Sequence, residues 1–93
     1  MQLENVAVQA SPTLVCAIPY WSSGVVITNT GATSVSVDLA GGDAYAGTAA
    51  ELAAVGIAVA AGATVTLPGT DGSLQVWAAV TSGTGQLTYA LPG

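Results

Sequence analysis

The chain has 93 residues, a formal net charge of -5 and no lysine, arginine or histidine; its charged side chains are Glu4, Asp38, Asp43, Glu51 and Asp71. Nucleic acids and anionic membranes are bound largely through Lys and Arg, so neither is an expected partner. Phosphate-loop chemistry lacks its Lys, Ser-His-Asp and Cys-His catalysis lack their His, and transition-metal sites are left with Cys16 alone.

The length allows one domain, near the small end for a self-sufficient core. Hydrophobic residues make up 52% of the chain, but many are alanines, which bury little area. Support from other subunits or from a lattice is an expected remedy.

In chain order, residues 1–23 read as an N-terminal arm or first strands, and residues 24–93 as a β-sandwich or barrel domain. Met1 to Glu4 offers neither the positive segment nor the apolar stretch of a secretory signal. Val6 and Val8 alternate with Ala7 and Gln9; Leu14, Cys16 and Ile18 alternate with Val15 and Ala17. Pro12 and Pro19 punctuate these runs and suit edge strands. Cys16 reads as a small buried apolar residue. Tyr20 and Trp21 then place two aromatics at a junction.

Val25 to Thr28 is a strand by residue type. Asn29, Thr30, Gly31 and Ala32 make a turn, with Gly31 suited to positive φ. Val35, Val37 and Leu39 alternate with Ser34, Ser36 and Asp38, so the two runs read as a hairpin. Gly41, Gly42 and Asp43 form a loop. Thr48 and Glu51 have the spacing of a capping box, which predicts at most two helical turns ending near Gly56. Ile57 to Val59 reads as a short strand. The alanine-rich stretch from Ala44 to Ala63 is no membrane span: it holds Glu51, three glycines and few large aliphatics.

Val65 and Leu67 precede Pro68, and Thr70, Asp71 and Gly72 turn the chain. Leu74, Val76, Ala78 and Val80 share one face of the next strand; Gln75, Trp77 and Ala79 share the other. Ser82 to Gly85 closes a hairpin to Leu87, Tyr89 and Leu91. Short strands between Gly, Asn, Asp and Pro turns predict an all-β fold, a small antiparallel sandwich or barrel, with a short helix near residues 48–55.

No residue stands out as catalytic, as a cofactor ligand or as a metal ligand. Asp38 and Asp43 flank a glycine pair, but calcium wants six to eight oxygens, and solubilising side chains are the plainer reading. Candidate interface residues are Tyr20, Trp21 and Trp77. Alternation places Trp77 opposite Val76 and Val80. It is core if the second sheet or the arm covers that face, and an anchor for a partner if nothing does.

The stretch from Val26 through Asn29, Thr30 and Gly31 to Val35, a Gly- and Ala-rich loop, Gly56 to Leu67, Leu74 to Val80 and Gly85 to Tyr89 follow one another in an order that resembles small virion structural proteins of tailed bacteriophages. These include capsid decoration (cement) proteins and head-fibre bases. The resemblance spans residues 24–90 and rests on turn glycines and buried aliphatics. It implies a non-enzymatic protein that binds the major capsid protein or another virion protein in many copies, a homotrimer among the arrangements. The place implied is the outer capsid surface of a particle assembled in the host cytoplasm. A fibre-base or host-surface binding module and a self-assembling coat subunit are the alternatives.

Overall fold

Runs of Val, Ile and Leu at every second position become strands. The computed structural model describes residues 4–19, 21–41, 45–68 and 74–91. In order these form β1 (Glu4–Val8), β2 (Thr13–Ala17), β3 (Gly24–Asn29), β4 (Val35–Ala40), α1 (Ala49–Val55), β5 (Ile57–Val59), β6 (Thr64–Pro68), β7 (Gln75–Ala79) and β8 (Gly85–Ala90).

The pairing is that of one long hairpin with α1 at its tip. β1 pairs with β8, β2 with β7, β3 with β6 and β4 with β5, all antiparallel. Rolling that hairpin up brings β3 beside β8 and β4 beside β7. Two four-stranded sheets result, β1-β8-β3-β6 and β2-β7-β4-β5. Eight antiparallel strands wound in this order are a jelly-roll sandwich.

This topology replaces both expected hairpins. β3 and β4 lie in different sheets, and so do β7 and β8. Residues 30–34 and 80–84 are therefore arches from one sheet to the other. Alternation identifies the core-facing side of β4 and β8, and that side is the same whether the next strand pairs with it or faces it.

The first strands belong to the sandwich. β1 and β2 are edge strands of the two sheets, and Val8, Val15, Cys16 and Ile18 are buried in the shared core. A register shift between Leu14 and Cys16 interrupts β2. It corrects the alternation expected there: Val15 and Cys16 are both buried while Leu14 is exposed, as a bulge re-aims successive side chains.

The core is valine-rich, with Val25, Val35, Val37, Val59 and Val76 fully buried. Many alanines, such as Ala7, Ala17, Ala50, Ala54 and Ala61, lie at the surface. The apolar composition is thus partly a surface property, and the interior is built mainly from larger side chains, with Ala78, Ala79 and Ala90 buried among them.

Asn29 was expected to be an ordinary turn residue and is instead fully buried. Its Nδ2 donates to the carbonyls of Thr33 (2.8 Å) and Val59 (2.9 Å), and its Oδ1 accepts from the Gly31 N–H (3.0 Å). Its backbone N–H donates to the Ala63 carbonyl at 2.9 Å, and its carbonyl accepts from Gly62 N–H at 2.8 Å. One residue thus ties the β3–β4 arch to both ends of the β5–β6 connection. Gly31 does not take the positive φ expected of it; among the described residues the turn glycines with positive φ are Gly62 and Gly83. A close approach accounts for Gly31, because a Cβ there would lie 3.1 Å from the backbone N of Gln86.

Burial pushes the Cys16 thiol up from 9.0 to about 11. Two pKa units reduce the thiolate fraction at neutral pH about a hundredfold. Ellman's reagent at pH 8 should accordingly label the folded protein at least about a hundredfold more slowly than the urea-unfolded chain. Labelling at the unfolded rate would show that the β2 edge opens freely.

Candidate functional site

The second sheet has an outer face, and α1 covers part of it. On that face Trp77 of β7 is in register with Asp38 of β4 on one side and Leu14 of β2 on the other. Leu52 is the buried residue of α1, and it packs with Trp77 and Ala79 against Ala40, Tyr45 and Ala49. This is a second small core, outside the sandwich.

The sequence builds α1 locally. Thr48 Oγ1 accepts from the Glu51 N–H at 3.2 Å, and Glu51 Oε1 accepts from the Thr48 N–H at 3.0 Å. This capping box satisfies two of the orphan donors at the helix start. At the other end the Gly56 N–H donates to the Leu52 carbonyl at 2.7 Å, with the Gly56 backbone already extended.

Trp77 is 6% exposed. Its cover is α1 and Tyr45, not the second sheet or an N-terminal arm, so the indole is no exposed anchor. The Tyr45 ring sits against it at 6.1 Å between centroids, tilted by 53°. The Tyr45 hydroxyl donates to Asp38 Oδ2 at 2.7 Å, while Asp38 Oδ1 accepts from the Leu39 N–H at 2.9 Å. The hydrogen bond to Asp38 is the main reason that the Tyr45 phenol is pushed up to about 12; desolvation and the charges of Asp38 and Glu51 act in the same direction.

A groove of about 270 Å3 runs between α1 and β4, lined by Asp38, Ala40, Tyr45, Ala46, Gly47, Glu51 and Val55. Its polar groups are two carboxylates and a phenol. Among the described residues no group of three or more His, Cys, Asp or Glu side chains is placed to hold a metal ion, and no helix is long and apolar enough to cross a membrane.

Trp21 is 55% exposed, and its neighbour explains why. Ser22 is buried, with its Oγ donating to the Gly24 carbonyl at 2.6 Å and its N–H to the Pro19 carbonyl at 3.1 Å. The β2–β3 arch is buckled inward at Ser22 and presents Trp21 to solvent. Tyr20, Asp43 and Asp71 lie outside the described residues. The calcium site weighed at Asp38 and Asp43 therefore falls partly outside the described residues, and Asp38 itself is engaged by Tyr45. The grouping of Asp38, Tyr45 and Glu51 escaped the sequence reading. The capping box gave Glu51 a local role, and nothing in the spacing brings Tyr45 back onto Asp38.

No protein-family model matches the chain, and no curated protein is similar to it. Among solved structures, the crystal structure of PirA is similar over 96% of this chain and 92% of its own, with a TM-score of 0.65 and 17% identity. At that identity the likeness shows a shared fold.

Proposed function

We propose that the chain is a non-enzymatic structural protein of a phage virion, a capsid decoration protein that docks on the outer surface of the assembled head and stabilises it. The observation that carries this reading is the kind of surface on the sandwich. Val55 (70% exposed) lines a small acidic groove, Trp21 is exposed on the β2–β3 connection, and the chain has no Lys, Arg or His for catalysis or phosphate binding. The resemblance of residues 24–90 to such proteins supplies the particle. The jelly roll is compatible, since viral capsid domains use it. The partner is the major capsid protein or another virion protein, met by many copies of this chain.

A host-surface binding module is the second reading, favoured by the same architecture, which lectin domains also use. A glycan array with the purified protein separates the two.

The direct test is to add purified protein to heads lacking it, pellet them and measure the temperature at which they release DNA. The wild type should co-pellet in stoichiometric amounts and raise that temperature. Trp21→Ala, at an exposed position that leaves the core intact, should weaken docking about tenfold or more, as expected of an aromatic anchor. Heads that neither retain the protein nor gain stability would sink the proposal.

A further inference from the structure

We propose that the groove between α1 and β4 is a socket for one arginine side chain of the protein on which this chain docks. The inference rests on the docking reading only for the identity of the protein that supplies the arginine.

Size is the first argument. Pockets for drug-sized ligands run from about 300 to 1,000 Å3; a groove of about 270 Å3 falls just below that range and is ample for a single side chain. Charge is the second. Asp38 reaches the groove from β4 and Glu51 from α1. Asp38 accepts one hydrogen bond on each oxygen, and Glu51 accepts the Thr48 N–H on Oε1. A carboxylate has about four acceptor positions, so both retain free capacity. None of these 93 residues carries a cationic side chain, and so a complementary charge comes from outside them.

The walls choose among cations. Ala40, Ala46, Val55 and the Tyr45 ring line the groove. A guanidinium is planar, weakly hydrated, able to stack on an aromatic face and able to fork its donors between two carboxylates; a lysine ammonium is a strongly hydrated point charge. A calcium ion would need six to eight oxygens, more than the two carboxylates and the phenol among the described lining residues provide. Tyr45 is already held by Asp38 and Trp77, so little ordering is left to be done on binding.

The test uses the isolated protein and three blocked tripeptides, acetyl-Gly-Xaa-Gly-amide with arginine, lysine or the neutral arginine isostere citrulline at the centre. Titration is followed by two-dimensional 15N–1H NMR. The arginine peptide should move the amides of Asp38, Leu39 and residues 45–56. Citrulline should bind at least about tenfold more weakly. A combined Asp38→Asn, Glu51→Gln variant should lose about tenfold in arginine-peptide affinity; glutamine preserves the capping box and asparagine keeps an acceptor for Tyr45. Equal shifts from citrulline, tighter binding of the lysine peptide, shifts centred elsewhere or no shifts would each overturn the socket. The citrulline comparison needs no variant, so it stands even if the substitutions perturb folding. Co-pelleting with heads separates this idea from the docking reading. Heads that retain wild type and double variant equally would overturn the socket and leave docking intact. Heads that retain neither would overturn docking, and the peptide titration would still decide the socket.

Discussion

Asn29→Asp is expected to lower the unfolding free energy by about 3–5 kcal/mol at pH 7, the cost of leaving a buried charge without compensation. Native stability is on the order of 5–15 kcal/mol for a domain of this kind, so the loss is a large share of the total. Asn29 is fully buried, and its Nδ2 faces two carbonyl oxygens, those of Thr33 and Val59. An ionised carboxylate would set a third oxygen against them and remove the amide donor that both accept, leaving the Val59 carbonyl only the Ser34 hydroxyl at 3.5 Å. The introduced carboxyl therefore has its pKa raised by folding, because the protonated form is tolerated better. For an acid raised in this way the folded state binds more protons than the unfolded state above the unfolded pKa of about 3.9, and stability falls as pH rises through that window. Urea denaturation at pH 7 and pH 4 checks both parts. Relative to wild type the deficit should shrink at pH 4. A deficit below about 1 kcal/mol at pH 7, the net worth of an ordinary hydrogen bond, would show that the arch does not depend on Asn29; a deficit that grows on acidification would show that the carboxylate has found a donor.

Much of the fold could be read from local signals, and the errors have one cause. The capping box at Thr48 and Glu51 involves residues three apart, and α1 starts where it places it. Alternation assigns the core-facing side of β4, and in β7 it separates Val76 and Ala78, in the sandwich core, from Trp77 and Ala79, under α1. Partners were another matter. Asn29 at the end of β3 and Gly31 after it suit a hairpin and an arch equally, and the choice is made by β8 and β7, far along the chain. The bulge in β2 left no mark in the alternation either.

The candidate site was legible to the same degree. Trp21 stood out by residue type and is exposed, but the reason is the buried Ser22 hydroxyl, which composition does not reveal. Alternation puts Trp77 opposite Val76 and Val80 and leaves its cover open; what covers it is the helix that the capping box predicts, joined by Tyr45. The two signals were present separately. Their meeting over Asp38 is a tertiary fact, set by the register of β7 on β4.

That meeting gives Gly56→Ala the second large effect, a loss of about 3 kcal/mol, as expected of overpacking against rigid neighbours. Gly56 joins α1 to β5, and its φ of -82° is open to any residue, so conformational freedom is not the reason for glycine. Space is. A Cβ would lie 2.5 Å from the Val37 carbonyl oxygen and 2.7 Å from that of Leu52. Both are backbone atoms: Leu52 accepts the helix-ending bond from the Gly56 N–H, and Val37 is paired with Ile57 on one side and Ala78 on the other. Relief requires α1 to lift or β5 to part from β4. Either movement uncovers Trp77, and because Trp21 is already exposed, a red shift in tryptophan emission reports on Trp77. Gly62→Ala is the control. Gly62 has φ +81° with nothing within 4 Å of an added Cβ, so it should cost only the left-handed penalty of about 1 kcal/mol and leave the emission unchanged. If Gly56→Ala were no more costly than Gly62→Ala, or left the emission unshifted, the close contact with β4 would not be what seats the helix. If it unseats α1 as expected, the arginine peptide should lose its shifts in the same variant, since Glu51 and Val55 leave the groove with the helix that carries them.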